Sequence, residues 1–106
     1  MINSVILVGR AGQDPEMRYF ESGKVKTSFS IAVNRWSKNG ETTDWFNVEL
    51  WDKQAEVAGQ YVKKGSLIAL DGRLAIDKWS GKDGVERERA VIRGNNLRLL
   101  GSKNQG

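Results

Sequence analysis

The chain has 106 residues, enough for one domain with a modest core, and 17 Lys and Arg against 13 Asp and Glu give a net charge of +4. The absence of cysteine excludes disulfides and thiolate metal sites, and the absence of histidine removes the commonest nucleophile–base pairs. With no signal peptide and no apolar stretch of membrane-spanning length, we expect a soluble, intracellular protein without membrane contact. The mildly basic balance suits a polyanionic partner, although solubility alone requires a similar charge.

The first third of the chain has the spacing of strands and turns. Val5–Arg10 predicts a strand with both faces partly buried, and a turn follows at Asp14–Pro15. Met17–Phe20 predicts a short extended piece and Glu21–Lys24 a turn. Lys26–Trp36 then predicts a long strand.

The middle of the chain changes from strand to helix. Ser37–Thr43 predicts a polar hairpin loop, and Asp44–Trp51 predicts the strand that follows it. Lys53–Val62 has apolar residues at helical spacing, so it predicts a helix. Asp52 is the expected N-cap, and Gly65 is suited to end this segment.

The last third returns to strands. Ser66–Trp79 predicts a strand, Ser80–Gly84 a loop and Glu86–Leu100 a final strand region. Three strands, one helix and two strands match an all-β, five-stranded OB-fold Greek-key barrel with the helix between strands 3 and 4. A small sandwich of six strands is the alternative, which the single central helix disfavours. The prediction is one domain over residues 1–100 and a short, frayed polar tail over 101–106.

Strict alternation in Asp44–Trp51 separates aromatic from aliphatic residues. Phe46, Val48 and Leu50 share one face, while Trp45 and Trp51 share the other with polar neighbours. Successive side chains of a strand point to opposite faces. If the aliphatic face packs inward, both tryptophans point to water, where a flat ring among charges is a platform for unpaired nucleobases.

Trp36 and Trp79 pass the same test in the two neighbouring strands. Each lies opposite in parity to its strand's apolar set: Phe29, Ile31 and Val33 in one, and Ile68, Leu70, Leu74 and Ile76 in the other. A single tryptophan is usually a core or interface residue, but four coincidences of parity make that reading weaker. A bulge in any strand would flip the parity beyond it. We therefore predict four outward-facing stacking residues: Trp36, Trp45, Trp51 and Trp79.

Basic residues lie beside these aromatics in the sequence. Arg35 and Lys38 flank Trp36, Lys53 follows Trp51, and Lys78 precedes Trp79. Rings interleaved with cations are typical of a groove that follows a nucleic-acid backbone. Acidic residues lie among them as well, namely Glu49 and Asp77. Binding should therefore depend on stacking more than on charge.

No residue pattern indicates catalysis, a metal site or a bound cofactor. Glu86 and Glu88 share a strand face, but Arg87 and Arg89 alternate with them, as on a solvated edge. Gly9–Gly12 lacks the Lys-Ser/Thr ending and the helix of a phosphate loop. A carboxylate-dependent nuclease is the least favoured interpretation.

Several segments together resemble the bacterial single-stranded DNA-binding protein family, over about residues 2 to 100. The similar segments are Val5–Tyr19, Thr43–Trp51, Ala55–Ala58, Tyr61–Ser66 and Gly72–Trp79. The resemblance implies a sequence-indifferent binder that coats and protects single strands in replication, recombination and repair. It also implies a homotetramer that takes no cofactor. The expected location is the cytoplasm, in association with the nucleoid, or an organellar matrix or stroma.

The resemblance assigns roles to individual residues. The four tryptophans occupy the family's base-stacking aromatic positions, with Trp51 where phenylalanine is familiar. Basic positions near the DNA path are matched by Lys53, Lys63, Lys64 and Lys78. With Arg35 and Lys38, they form the expected set of backbone contacts.

The chain departs from the family in three places. Ala75 and Asp77 replace basic residues before the last tryptophan, and Phe46 replaces a histidine common at a subunit contact. The family's long tail with an acidic, phenylalanine-ended tip is absent, which weakens the expectation that this chain recruits replication and repair proteins. The absence fits either a truncated core or a short natural member. An OB-fold interaction protein, such as a dimeric primosome relative, is the runner-up interpretation.

Overall fold

The computed structural model describes residues 1–101, which form six strands and one helix. Apart from Gly101, the predicted polar tail lies outside the described residues. The elements in chain order are β1 (Val5–Ala11), β2 (Glu16–Tyr19), β3 (Val25–Ser37), β4 (Gly40–Trp51), α1 (Asp52–Tyr61), β5 (Leu67–Ser80) and β6 (Glu86–Leu99). The predicted strands and the helix are all present, and the short extended piece forms β2.

The five long strands close into a barrel. β1 pairs antiparallel with β5 along Val5–Arg10 and with β3 only at Arg10 and Ala11. β4 and β6 pair in parallel at Val48 with Ile92 and at Glu49 with Arg93, which completes the circuit. β2 adds to the outside of β3. Because α1 lies between the third and fourth long strands, the predicted OB-fold Greek-key barrel is confirmed.

The barrel interior is filled by alternate residues of the strands and by two alanines of α1. The largest buried side chains are Ile31, Leu50, Ile68, Leu70, Val48 and Thr27. α1 is joined to this core through Ala55 and Ala58, and the buried Thr27 hydroxyl donates a hydrogen bond of 2.6 Å to the Ala55 carbonyl. Within the described residues, no helix is long and apolar enough to cross a membrane.

The junction between β4 and α1 differs from the prediction. Trp51, not Asp52, holds the N-cap position, and it makes no side-chain capping hydrogen bond. Asp52 instead has a φ of +54°, in the left-handed region that non-glycine residues rarely adopt. The chain turns sharply here because Trp51 is still part of β4 while the next residue already begins the helix.

β5 and β6 continue past the barrel as a two-stranded arm. Asn95 is an extra, bulged residue of β6 between the pairs Asp71–Asn96 and Gly72–Gly94. The strands approach closely there, since a Cβ at Gly72 would collide with the Arg93 carbonyl. Leu74 and Ile76, which parity places with the core residues, are exposed because no core lies under this arm.

Candidate nucleic-acid interface

All four tryptophans are exposed on the outer faces of their strands, as their parity predicts. The exposed fraction is 79% for Trp36, 61% for Trp45, 37% for Trp51 and 45% for Trp79. β3 carries Trp36, β4 carries Trp45 and Trp51, and β5 carries Trp79. Large apolar rings held at the surface are available to stack on a flat partner.

A groove of about 270 Å³ is lined by residues of β2, β3, β4 and β6. Its basic lining residues are Arg18, Lys26 and Arg89, and its polar ones include Ser28, Ser30 and Asn47. None of the three basic residues was predicted from the sequence. Lys26 could have been found by counting register, because it pairs directly with Trp51 across the β3–β4 hairpin.

Trp51 is the most enclosed of the four indoles. The ring of Phe20 stacks against it with centroids 5.5 Å apart and planes 23° apart. The Lys26 ammonium lies 5.8 Å from its centroid, within the range of a cation–π contact. Its indole Nε1 donates a 3.2 Å hydrogen bond to Glu49 Oε1. The Phe20 ring makes a cation–π contact as well, with the Arg18 guanidinium 4.9 Å from its centroid.

Glu49 and Asp77 are not free negative charges on the groove wall. Both bind Arg93, Glu49 through Nε and Asp77 through Nη2, each at 2.8 Å. The hydrogen bond that Arg93 donates to Glu49, together with its bond to Asp77 and its attraction to both carboxylates, raises the pKa of Arg93 against the opposing effect of burial. Both acids are therefore paired within the protein, but two carboxylates share one guanidinium, so one negative charge remains uncompensated in this cluster.

Trp79 lies beside a second, more open depression of about 480 Å³. Asp77, Lys78, Trp79 and Arg89 line it. The Arg89 guanidinium is 5.9 Å from the Trp79 centroid. Because Arg89 also lines the first groove, the two depressions are neighbours on one surface.

The predicted basic residues are scattered around this surface. Of the six, Lys78 lines one of the two depressions described above, and the other five line neither. Arg35 pairs with Asp44 at 2.7 Å, and Lys38 lies in the β3–β4 turn. Lys53 lies in the first turn of α1, whereas Lys63 and Lys64 are exposed on the segment after α1. The Lys64 backbone N–H donates to Asp14 at 2.8 Å, which ties that segment to the loop before β2.

The described residues contain no group of three or more acidic side chains placed to hold a metal ion. The concentration of Glu and Arg on β6 is a set of surface charges. Arg87, for example, pairs with Asp83 at 2.9 Å.

A closed barrel with this strand order, carrying exposed rings and nearby cations, defines the class of small OB-fold proteins. A sequence profile of the Single-strand binding protein family matches residues 2–100. The chain is 58% identical over 104 residues to "Single-stranded DNA-binding protein 1" of Synechocystis sp., covering 96% of this chain and 86% of that protein. The chain therefore belongs to the single-strand binding protein family.

Two further relatives are also named as single-stranded DNA-binding proteins. "Single-stranded DNA-binding protein 1" of Nostoc sp. is 59% identical over 103 residues, covering 96% of this chain and 86% of that protein. "Single-stranded DNA-binding protein" of Neisseria meningitidis serogroup A is 45% identical over 109 residues, covering 98% of this chain and 63% of that protein.

Proposed function

We propose that the protein binds single-stranded DNA without sequence preference, and coats and protects exposed strands in replication, recombination and repair. The names of the relatives support single-stranded DNA as the ligand. The observation that carries the mechanism is the outward exposure of Trp36, Trp45, Trp51 and Trp79. Every base has a π-face, so stacking on these rings holds a strand whatever its sequence.

The backbone of the strand is held by cations around the rings. The proposed contacts include the residues expected from the sequence: Arg35, Lys38, Lys53, Lys63, Lys64 and Lys78. Arg18, Lys26 and Arg89 join this set because they line the groove, and Lys26 and Arg89 also lie over the rings of Trp51 and Trp79. Arg89 lies between the two depressions and is suited to contact a phosphate that passes from one to the other.

The protein is proposed to act as a homotetramer in the nucleoid-bearing cytoplasm or in an organellar matrix or stroma. Two features support assembly. Among residues 1–101, no strand pairs with the edge of β1 opposite β5 along Val5–Gly9, and Ile6 and Val8 expose apolar surface there. Leu74 and Ile76 expose a second apolar strip on the arm. An unpaired edge is a template for pairing with another chain, and a contiguous apolar patch marks an interaction site.

Titration with poly(dT), followed by tryptophan fluorescence, tests the function. Stacked indoles should be deeply quenched at saturation. Light scattering with and without a long oligonucleotide reports assembly in the same samples. A fluorescence that does not change would contradict the proposal and favour a surface that meets protein instead.

A further inference from the structure

Trp51 and Trp79 each lie close in sequence to an acidic residue that binds Arg93 of β6. An acidic residue stands two positions before each tryptophan, Glu49 on β4 and Asp77 on β5. Residues two apart in a strand share a face, so each carboxylate lies on the face of its ring. Arg93 binds both carboxylates at 2.8 Å. One guanidinium therefore joins the two strands that carry these rings, next to the short parallel seam between β4 and β6.

Glu49 has an unusual place for an acid on a surface that meets a polyanion. Its side chain is only 7% exposed, and its Oε1 accepts hydrogen bonds from Arg93 Nε and Trp51 Nε1. A carboxylate at this position opposes the approach of phosphates, and its desolvation is offset only through good partners. Among the described residues, Trp51 is the one tryptophan whose indole N–H is bound by a side chain.

We infer that Glu49 is a positioning residue for Trp51. Its carboxylate is anchored by Arg93 and holds the indole by Nε1 against Phe20, so the ring is oriented before a base arrives. Asp77 completes the anchor by holding the second arm of the guanidinium. The effect on affinity rests on the proposed function, whereas the fixed indole is a property of the free protein.

The first test uses the free protein. In a ¹⁵N–¹H spectrum, the indole N–H of Trp51, assigned through Trp51→Phe, should exchange with water more slowly than those of the other three tryptophans. Glu49→Ala should remove this protection, whereas Glu49→Gln should retain much of it, because the amide oxygen still accepts a hydrogen bond. Glu56→Ala, an exposed acid on α1, is the matched control and should leave the four signals unchanged.

The second test is the affinity for a dT oligonucleotide. Glu49→Ala and Glu49→Gln remove the same negative charge, so electrostatics alone predicts tighter binding by both. Positioning predicts the opposite for Glu49→Ala, about tenfold weaker binding, with Glu49→Gln within about threefold of the wild type. Equal affinities of the two variants, or tighter binding by Glu49→Ala, would overturn the inference.

These measurements separate the two proposals. A wild type that binds no single strand refutes the function, and its indole exchange still reports on positioning. If Glu49→Ala does not fold, the wild-type spectrum decides: Trp51 exchange as fast as that of the 79% exposed Trp36 overturns the inference. Melting curves of each variant show which of them are folded.

Discussion

Trp36 and Trp51 lie on neighbouring strands of one barrel, but their surroundings are opposite in character. Trp36 lies near the end of the β3–β4 hairpin and is 79% exposed. Trp51 lies at the barrel end of β4, stacked on Phe20 and hydrogen-bonded to Glu49. A ring held before binding loses less conformational freedom when a base stacks on it, whereas a free ring adapts to different strand paths. Under the proposed function, Trp51 is therefore a fixed stacking station and Trp36 an adaptable one.

The largest effect should come from Val48→Asp, which disrupts the core of the barrel that carries both tryptophans. Val48 is fully buried on the inner face of β4, so an aspartate there is an unpaired buried charge that costs several kcal/mol. We expect thermal unfolding at or below room temperature, measured by circular dichroism. Asn47→Asp places the same charge on the neighbouring, exposed residue and should fold normally. A folded, active Val48→Asp would contradict the assignment of faces.

Removal of each ring sharpens the contrast between the two stations. Trp36→Ala and Trp51→Ala should each weaken single-strand binding by about 1–3 kcal/mol, because each removes one stacking platform. Only Trp51→Ala should also destabilise the fold, by about 1 kcal/mol, since it alone loses the contact with Phe20. Isothermal titration and chemical denaturation measure the two quantities. Equal stability losses would show that Trp51 is no more fixed than Trp36.

Lys26→Met tests the cation beside the fixed station. Lys26 lies over Trp51 and lines the groove, so it is placed to contact a phosphate. Its loss should reduce the slope of log affinity against log salt by about 0.7, the share of one phosphate on a single strand. Arg98→Met is the charge-matched control, since Arg98 is exposed on β6 and lines neither depression. Equal slopes for both variants would place Lys26 outside the strand's path.

The smallest effect is expected at the adaptable station. Arg35 and Asp44 form an ion pair of 2.7 Å close to Trp36, but both side chains are well exposed to solvent. Exposed pairs contribute about 0–1 kcal/mol, so Asp44→Asn should change the free energy of unfolding by less than about 0.5 kcal/mol. Urea denaturation at low and at high salt measures it. A loss of several kcal/mol would mean that the hairpin is as tightly held as Trp51.

Local periodicity accounts for what the sequence predicts correctly. Alternation along each strand placed all four tryptophans outside, and helical spacing located α1 to within one residue at each end. Alternation does not report where the barrel ends. Leu74 and Ile76 have core parity but are exposed, because the arm extends beyond the core.

Long-range register accounts for what the sequence did not predict. Phe20 and Lys26 meet Trp51 only because β2, β3 and β4 pair in one particular register. The burial of Glu49 depends on Arg93, 44 residues away in the chain. Asp52 is of a residue type favoured at the N-cap, but the tight turn from strand to helix places Trp51 at that position. Contacts of this kind follow from tertiary structure, which composition and spacing do not specify.

The central claim is that the exposed indoles stack on the bases of single strands. The most direct measurement follows the four indole signals of ¹⁵N-labelled protein during titration with a dT oligonucleotide and with a duplex of equal length. We predict that all four signals move with the single strand and remain in place with the duplex, whose bases are already stacked on one another. Indole signals that stay unchanged with the single strand, or that move equally with the duplex, would contradict the claim.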